Sequence, residues 1–201
     1  MKLELLIASK NVGKIKEFKQ LLADLPIILH SANEFEEIPE PEETGKTFAD
    51  NAILKAQYYA EKTGLIALAD DSGLAVDALN GAPGVFSARY AGVDATNAER
   101  IGKLLSEVSN TPIEKRSARF VCAIAIITQT GKILNLVEAT CEGKIAFQPS
   151  GTNGFGYDPI FVPDGFSQSF GELSDEIKHK ISHRGRAIEK IIEFLHDFTL
   201  S

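Results

Sequence analysis

The chain has few cysteines and no tryptophan, and the cysteine shortage excludes whole classes of protein. Its 201 residues contain only two cysteines, Cys122 and Cys141. Their separation is not the C-x-x-C spacing of a zinc site, and two thiols are too few for a disulfide scaffold. We therefore expect both cysteines to be buried free thiols.

Long hydrophobic runs are also missing. No apolar stretch approaches the ~20 residues that a membrane-spanning helix needs, so we expect no membrane partner. Residues 1–8 place an acid inside a short apolar run and lack the hydrophobic region and cleavage site of a signal peptide. The cytoplasm is therefore the expected location.

Positive charge is scarce, because 21 Lys and Arg residues stand against 28 Asp and Glu residues and give a formal net charge of -7. A general nucleic-acid binder needs a basic face that neutralises phosphates, so we expect no nucleic-acid partner. A small phosphorylated ligand needs only a local cluster of lysines and arginines. The charge balance leaves that class of ligand open.

Hydrophobic periodicity alternates between strands and helices along the chain. A length of 201 residues and a hydrophobic content of 44% suit one filled core, so we expect a single domain over residues 1–201. Two apolar runs flank residues 129–132 and predict a hairpin, which makes the sheet mixed. The sequence predicts an α/β fold, a mixed twisted sheet with flanking helices, with strands at residues 3–9, 27–30, 66–69, 120–128, 133–139 and 160–162, and helices at residues 14–24, 47–63, 96–108 and after Ser182.

One apolar run ends abruptly in charge. The predicted strand at residues 66–69 is followed directly by Asp70-Asp71-Ser72-Gly73. In α/β folds, ligands gather beyond the carboxyl ends of such strands, and Mg²⁺ takes one or two carboxylates together with water and substrate phosphates. A plain Asx turn explains the same residues, so the pair alone leaves both interpretations open.

Two further stretches carry groups suited to phosphate. Residues 9–14, Ser-Lys-Asn-Val-Gly-Lys, turn from the first strand into a helix whose free N–H groups and lysines can bind an anion. The alternative is an ordinary turn. In the helix at residues 47–63, Asn51 and Lys55 are four apart and share a face, and Thr47 with Asp50 forms a predicted capping box at its start.

The last third of the chain contains a glycine-dense loop and a basic cluster. The loop, residues 151–159, carries Phe155 and Tyr157, either of which can stack on a base, although a loop that packs its own aromatics fits equally well. The cluster, residues 178–186, places Lys, His and Arg at a helix start, where the helix dipole favours acids. A bound anion would relieve that mismatch.

Taken together, these motifs resemble the inosine/xanthosine triphosphate pyrophosphatase family, the hydrolases of non-canonical purine nucleotides. The resemblance implies an elongated, two-lobed α/β domain with a central nucleotide-binding cleft, usually in a homodimer. It implies Mg²⁺-dependent hydrolysis of ITP, dITP and XTP to the monophosphate and pyrophosphate. The motifs that carry it are residues 9–14, 42–45, 51–56, 69–74, 81–84, 87–90, 154–159 and 182–185.

The resemblance also implies roles for single residues. Asp71 would accept a proton and bind Mg²⁺, with Glu43, in preference to Glu42, as the second carboxylate. The triphosphate would be held by Ser9, Lys10, Asn11, Val12, Gly13, Lys14, Lys55 and Ser72, with Asp70 beside it. The base and sugar would be held by Phe155, Gly156, Tyr157, Asp158, Lys178, His183 and Arg184. The sequence departs from the family pattern at Lys10 and Asp50, and Asp50 weakens any metal role for its position.

Three alternatives stay open. A nucleotide pyrophosphatase of the Maf type would carry Ser-Pro-Arg-Arg after the first strand, where this chain has Ser9 followed by Lys10 and Asn11. A nucleotide-sensing protein without turnover would not need the carboxylate pairs at residues 42–43 and 70–71. A nucleic-acid-binding module is disfavoured by the net charge of -7.

Overall fold

The computed structural model describes residues 2–200, and the side chains of residues 2–198. Helices and strands alternate along the first part of the chain, as predicted. In chain order the elements are β1 (Leu3–Ile7), α1 (Val12–Leu21), β2 (Ile27–Ser31), α2 (Phe48–Thr63), β3 (Ile66–Val76), α3 (Asn97–Glu107), β4 (Ser117–Ile127), β5 (Ile133–Ile145), β6 (Phe161–Pro163), α4 (Asp175–Ile181) and α5 (His183–Leu200).

The strands form one six-stranded sheet in the order β2-β1-β3-β4-β5-β6. Strand β1 is parallel to both β2 and β3, whereas β5 and β6 are antiparallel. Strands β4 and β5 are neighbours joined by a tight turn, in which Thr128 N–H donates to the Lys132 carbonyl at 3.0 Å. The predicted mixed α/β fold with flanking helices and a hairpin is confirmed.

Side-chain caps explain where the helices begin. The Asn11 side chain accepts the Lys14 N–H at the start of α1. Thr47 and Asp50 cap each other at the start of α2, which confirms the predicted capping box, and Gly64 ends α2 in the left-handed conformation at φ 72°. Each cap satisfies backbone groups that a helix end would otherwise leave without partners.

The chain divides into two compact units. The first unit comprises Met1–Asp71, Cys122–Ala139 and Arg184–Ser201, and the second comprises Ser72–Val121 and Thr140–His183. The single domain expected over residues 1–201 stays a prediction.

Alternate residues of the central strands enter two different cores of the first unit. Leu5 of β1 and Leu68 of β3 pack with α1 and α5, whereas Leu6 and Ala67 pack with α2. The sheet is therefore covered on both faces, which is why its strands are continuously apolar. The α2 side is rich in alanine, so the helix can lie close to the sheet: Ala52, Ala56, Ala60, Ala67, Ala69, Ala123 and Ala125.

The second unit has an aromatic core. The rings of Phe120 and Phe161 meet edge to face, with centroids 4.7 Å apart, and Phe170 packs against both. The His183 ring stacks on Phe120 at 4.7 Å. Helix α3 adds Leu104 to this core.

Strand β3 corrects the prediction for the aspartate pair. The sequence placed Asp70 and Asp71 at the tip of a strand ending at residue 69, or in an Asx turn, but β3 continues to Val76. Leu74 and Val76 are fully buried, so their burial favours extension of the strand. The pair consequently lies within the strand, where successive side chains point to opposite faces.

The carboxyl-terminal region contains a helix that the sequence did not predict. Helix α4 (Asp175–Ile181) begins at Ser174, whose side chain accepts the Ile177 N–H. Ser182 follows with an extended backbone at φ −70° and ψ 159°, the conformation of an N-cap residue, and α5 starts at His183.

The expectation for the two cysteines is met. Cys122 and Cys141 are buried free thiols, and burial raises the pKa of Cys122 to about 12. None of the described helices combines the length and the apolar character that crossing a membrane would require.

Two glycine substitutions test the packing of the second unit. A Cβ on Gly143, in β5 opposite β6, would press on the Val162 carbonyl and lie 2.7 Å from the Phe161 ring. We expect Gly143→Ala to lower the free energy of unfolding by about 1–3 kcal/mol through overpacking, measured by urea denaturation.

Gly102→Ala is the matched control, because Gly102 is an exposed position in α3 where a Cβ meets nothing within 4 Å. We expect it to raise the free energy of unfolding by about 0.5–1 kcal/mol, since alanine loses less backbone entropy in a helix. Equal effects of the two substitutions would contradict the packing shown around β5.

Candidate active site

Asp71 is held by two residues one turn apart on α2. The Asn51 Nδ2 group donates to Asp71 Oδ2 at 3.0 Å, and Lys55 Nζ donates to Asp71 Oδ1 at 3.3 Å. Asn51 and Lys55 do share a helix face, as the spacing of four predicted. Each oxygen of the Asp71 carboxylate therefore has a fixed partner from the same rigid element.

Lys55 connects Asp71 to a second carboxylate. Its Nζ atom also donates to Glu43 Oε1 at 2.7 Å. Glu43 belongs to the irregular segment before α2 and is half-buried, whereas its neighbour Glu42 is exposed. Of the two glutamates that the sequence left as candidates, the structure brings Glu43 to Asp71.

The surroundings of Asp71 make its carboxylate a stronger base than usual. Burial raises the pKa of Asp71, and this effect outweighs the lowering by Lys55 and Lys14. Burial lowers the pKa of Lys55, but the negative charges of Asp71, Asp70 and Glu43 raise it by more. The pKa of Lys55 is therefore above its usual value, and the ammonium stays charged. Asp71 is therefore a carboxylate suited to accept a proton, and it lies next to Lys55, a cation that stays charged.

Asp70 lies in an opposite electrostatic environment. Its Oδ2 atom is 3.0 Å from Lys14 Nζ and 3.0 Å from Arg184 Nη2. Burial alone would raise the pKa of Asp70, yet the charges of Lys14 and Arg184 hold it well below its usual value. Asp70 is therefore a permanent counterion and not a proton acceptor.

The Arg184 guanidinium is paired with two carboxylates of this ion cluster. Besides Asp70, its Nη1 atom donates to Glu17 Oε2 at 2.6 Å, and the side chain is buried. The family resemblance implies that Arg184 holds the base or sugar, and that role stays a prediction. In this structure the guanidinium bridges β3 and α1 in the first unit. Its charge is neutralised by carboxylates, which are the strongest bidentate partners of arginine.

The loop between β1 and α1 is ordered by its own side chains. Ser9 Oγ accepts the Asn11 N–H at 3.2 Å, and Asn11 Oδ1 accepts the Lys14 N–H at 3.1 Å. Val12 is exposed and Gly13 half-buried. Lys10 Nζ donates to the Ile38 carbonyl at 2.8 Å, so in this structure Lys10 supports the segment before α2.

A buried ion pair organises the glycine-dense loop in the second unit. Asp158 Oδ2 accepts Lys178 Nζ at 2.8 Å and the Phe155 N–H at 2.7 Å. The Lys178 ammonium lies 4.9 Å from the centre of the half-buried Phe155 ring. A Cβ on Gly154 would overlap the Asp158 carboxylate, so this turn requires glycine.

Tyr157 is a packing residue. Its ring lies in the aromatic core of the second unit, and its hydroxyl donates to the Ser87 carbonyl at 3.1 Å. The sequence offered Tyr157 as a stacking platform for a base, and that role stays a prediction, because in this structure the ring is 4% exposed and packs in the core. Phe155 is the aromatic residue of this loop that stays partly open.

The basic cluster at residues 178–186 is balanced by protein carboxylates. Lys178 pairs with Asp158, Lys180 with Glu176, and Arg184 with Asp70 and Glu17. The sequence predicts that a bound anion offsets this positive charge. The structure places acidic side chains beside Lys178, Lys180 and Arg184.

The remaining predicted residues are distributed between the two units. Gly156 is half-buried beside Phe155 and has a φ of 62°, and Ser72 is half-buried directly after Asp71. His183 belongs to the second unit, where it stacks on Phe120, while its neighbour Arg184 belongs to the first.

The donor set fits a hard cation. Within residues 2–200 no group of three or more His, Cys, Asp and Glu side chains is arranged to hold a metal ion alone. Asp71 and Glu43 nevertheless offer oxygen ligands around one shared cationic group, Lys55 Nζ. Mg²⁺ is bound through one or two carboxylates plus water and substrate phosphates, so these two residues suit it.

Two residues of the cluster escaped the sequence analysis. Asn51 received no role there, although its position four residues before Lys55 was the available signal. Glu17 follows Lys14 by three residues and so shares its face of α1, but nothing local indicates that it meets Arg184, which lies 167 positions away.

A model of the Ham1 family matches residues 5–194 of the chain. The chain belongs to the Ham1 family. The resemblance inferred from the motifs is thereby confirmed, because a match of this length includes both carboxylate pairs and the basic cluster.

Individual Ham1 relatives and structures agree with this membership. The chain is 46% identical over 198 residues to the dITP/XTP pyrophosphatase of Bacillus cereus, covering 98% of this chain and 97% of that protein. It is 47% identical to the Geobacillus kaustophilus dITP/XTP pyrophosphatase, covering 94% and 93%. The Ham1 protein structure from Coxiella burnetii superimposes with a TM-score of 0.89 at 47% identity and covers 97% of this chain and 99% of that one.

The ion cluster around Asp70 in this Ham1 chain makes a prediction about stability. Arg184→Gln removes the guanidinium that lies between the buried Asp70 carboxylate and the half-buried Glu17 carboxylate. We expect the free energy of unfolding to fall by about 3–5 kcal/mol, because an uncompensated buried charge is costly. The matched control is Lys180→Gln, which removes an exposed ion pair with Glu176 and should leave the free energy of unfolding nearly unchanged, because exposed pairs contribute little.

The effect of Arg184→Gln also depends on pH in a defined direction. The folded-state pKa of Asp70 is depressed, so its stabilisation is present above the unfolded pKa, about 3.9, and is lost as the pH falls toward the folded value. The difference between wild type and variant in urea unfolding should thus be full at neutral pH and shrink in acid. A difference that grew in acid would contradict the assignment of Asp70 as a counterion.

Proposed function

We propose that this chain hydrolyses the triphosphates of deaminated purines, ITP, dITP and XTP, to the monophosphate and pyrophosphate. Such hydrolysis keeps deaminated purines out of DNA and RNA. The observation that carries the chemistry is Asp71, a buried carboxylate with a raised pKa, held by Asn51 and Lys55 beside Glu43. Relatives named dITP/XTP pyrophosphatase support the choice of substrate.

In the proposed reaction, a water molecule attacks phosphorus and the α–β anhydride bond breaks. Asp71 accepts a proton from the attacking water, and pyrophosphate leaves as an anion. Phosphoryl transfer of this kind needs positioning and charge neutralisation more than covalent catalysis by the protein. Asp71 suits the proton transfer because its raised pKa makes it a better base than an exposed aspartate.

Lys14 and Lys55 are the cations placed to meet the phosphates. Both are already engaged by carboxylates, Lys14 by Asp70 and Lys55 by Asp71 and Glu43. These two lysines therefore bring no surplus of positive charge to a triphosphate. When bound, Mg²⁺ would supply that charge and orient the phosphates, and Asp71 and Glu43 are the residues that would hold it.

For base recognition we propose Phe155, Asp158 and Lys178. Phe155 offers a partly open ring for stacking, and Asp158 fixes both the Phe155 backbone and the Lys178 ammonium. A donor such as Lys178 suits the 6-oxo group of hypoxanthine and xanthine, whereas the 6-amino group of adenine would leave the donor without a partner.

We also propose a homodimer in the cytoplasm. The family resemblance supports the dimer, and the proposed hydrolysis of nucleoside triphosphates supports the location.

The proposed reaction is tested by pyrophosphate release from ITP, dITP, XTP, GTP, ATP and dTTP in the presence of Mg²⁺. We expect release from the first three and at least about 100-fold slower release from ATP, because of the unpaired donor. Asp71→Asn should lower kcat by about 100- to 10,000-fold, the usual contribution of a general base. Release of inorganic phosphate, or equal rates on all nucleotides, would refute the cleavage site or the base recognition.

The choice between the two glutamates is tested by a matched pair of variants. Glu43→Gln removes a carboxylate that touches Lys55, whereas Glu42→Gln alters an exposed neighbour. We expect the first to raise the Mg²⁺ concentration needed for half-maximal rate by at least about tenfold, since a carboxylate ligand is lost. Glu42→Gln should change that Mg²⁺ concentration by no more than about twofold. The reverse order would assign the metal to Glu42.

A further inference from the structure

Asn51 is a buried polar residue at the start of α2 that bonds to Asp71 and has no chemical role of its own in the proposed reaction. Its side chain is fully buried, and a buried amide is retained only when its hydrogen bonds are made. Asn51 Oδ1 accepts the Gly45 N–H at 2.7 Å, and Asn51 Nδ2 donates to Asp71 Oδ2 at 3.0 Å. One amide therefore joins the backbone of the segment before α2 to the carboxylate on β3.

The orientation of this amide is determined by its partners. A backbone N–H can only donate, so the oxygen of Asn51 must face Gly45, and the NH₂ group must then face Asp71. An ionised carboxylate can only accept, so the second contact has the same polarity. Rotating the amide would break both hydrogen bonds at once.

The backbone at Asn51 is held rigidly in the first turn of α2. Thr47 and Asp50 cap each other immediately before it, and the Asn51 N–H donates to the Thr47 carbonyl at 3.2 Å in the first turn of α2. Gly45 approaches so closely that a Cβ there would lie 2.5 Å from Asn51 Oδ1. The segment that carries Glu43, two residues earlier, is thereby held against the same helix that holds Asp71.

We propose that Asn51 is a positioning residue, whose amide sets the distance between Asp71 and Glu43 by holding the Asp71 carboxylate at one end and the Gly45 backbone at the other. The proposal rests on the proposed function for its effect on turnover, but its geometry is independent of any activity. Lys55 bridges the same two carboxylates, so Asn51 acts on the spacing that Lys55 spans.

Two substitutions at Asn51 separate its two contacts. Asn51→Asp keeps the volume and an oxygen for the Gly45 N–H, but replaces the amide donor with a carboxyl group that shares one proton with Asp71, which takes Asp71 away from its role as base. Asn51→Ala removes both contacts. Gly45→Ala disturbs the same amide from the other side, which keeps the test valid if a variant at Asn51 folds poorly.

The first readout is hydrogen exchange at the Gly45 amide, which needs no substrate. Gly45 lies outside any helix or strand, so its protection in wild type reports the contact with Asn51. We expect Asn51→Ala to reduce that protection by about tenfold, the equivalent of one hydrogen bond, and Asn51→Asp to leave it within about threefold. Equal protection in wild type and Asn51→Ala would overturn the proposal.

The second readout is steady-state kinetics with ITP. Misplacing a catalytic group costs about 100-fold in rate, so Asn51→Asp, Asn51→Ala and Gly45→Ala should each lower kcat by that order while KM stays within about threefold. Gln57→Ala removes an exposed amide bonded to Glu61 on the same helix and should leave both constants unchanged. A raised KM with an unchanged kcat in the Asn51 variants would overturn the proposal.

The two readouts distinguish the proposals from each other. If wild type releases no pyrophosphate from any nucleotide, the proposed function fails, while the exchange of the Gly45 amide still decides whether Asn51 holds the segment. If wild type is active and Asn51→Asp retains its kcat, the function stands and the positioning role falls.

Discussion

The site depends on the alternation of side chains along β3. Asp70 and Asp71 are neighbours in sequence, but a strand turns successive side chains to opposite faces, so the two carboxylates do not share one environment. Asp70 enters the face packed by α1 and α5, and Asp71 enters the face packed by α2. Every other contact of the first unit's charged cluster follows from that separation.

The separation gives two identical side chains different chemistry. Lys14 and Arg184 keep Asp70 charged, with its pKa depressed, while burial raises the pKa of Asp71. Pairs of carboxylates whose environments push their pKa values apart divide the roles of charge stabiliser and proton acceptor between them. In this chain the same strand carries both carboxylates, and the alanine-rich packing of α2 brings Asn51 and Lys55 close enough to hold Asp71.

Buried ion pairs organise the second unit in a similar way. Asp158 is bonded to the Lys178 ammonium and the Phe155 N–H, so one carboxylate fixes a cation, a backbone turn and an aromatic ring together. Such a pair is costly to desolvate and weak evidence for stability. Its value here is geometric, because it holds the Lys178 ammonium and the Phe155 ring in a fixed relation.

The sequence by itself determined the elements that depend on local chemistry. Hydrophobic periodicity, the caps at Asn11 and Thr47, and the residues of the Ham1 motifs are encoded within short stretches, and they correctly indicated the fold class and the family. Only the tertiary structure decided which charges meet. Arg184 pairs with Asp70, which lies 114 positions earlier in the chain. Glu43, and not Glu42, bonds to Lys55. The buried Tyr157 donates its hydroxyl to the Ser87 carbonyl. Long-range packing selects these partners, and no local pattern specifies them.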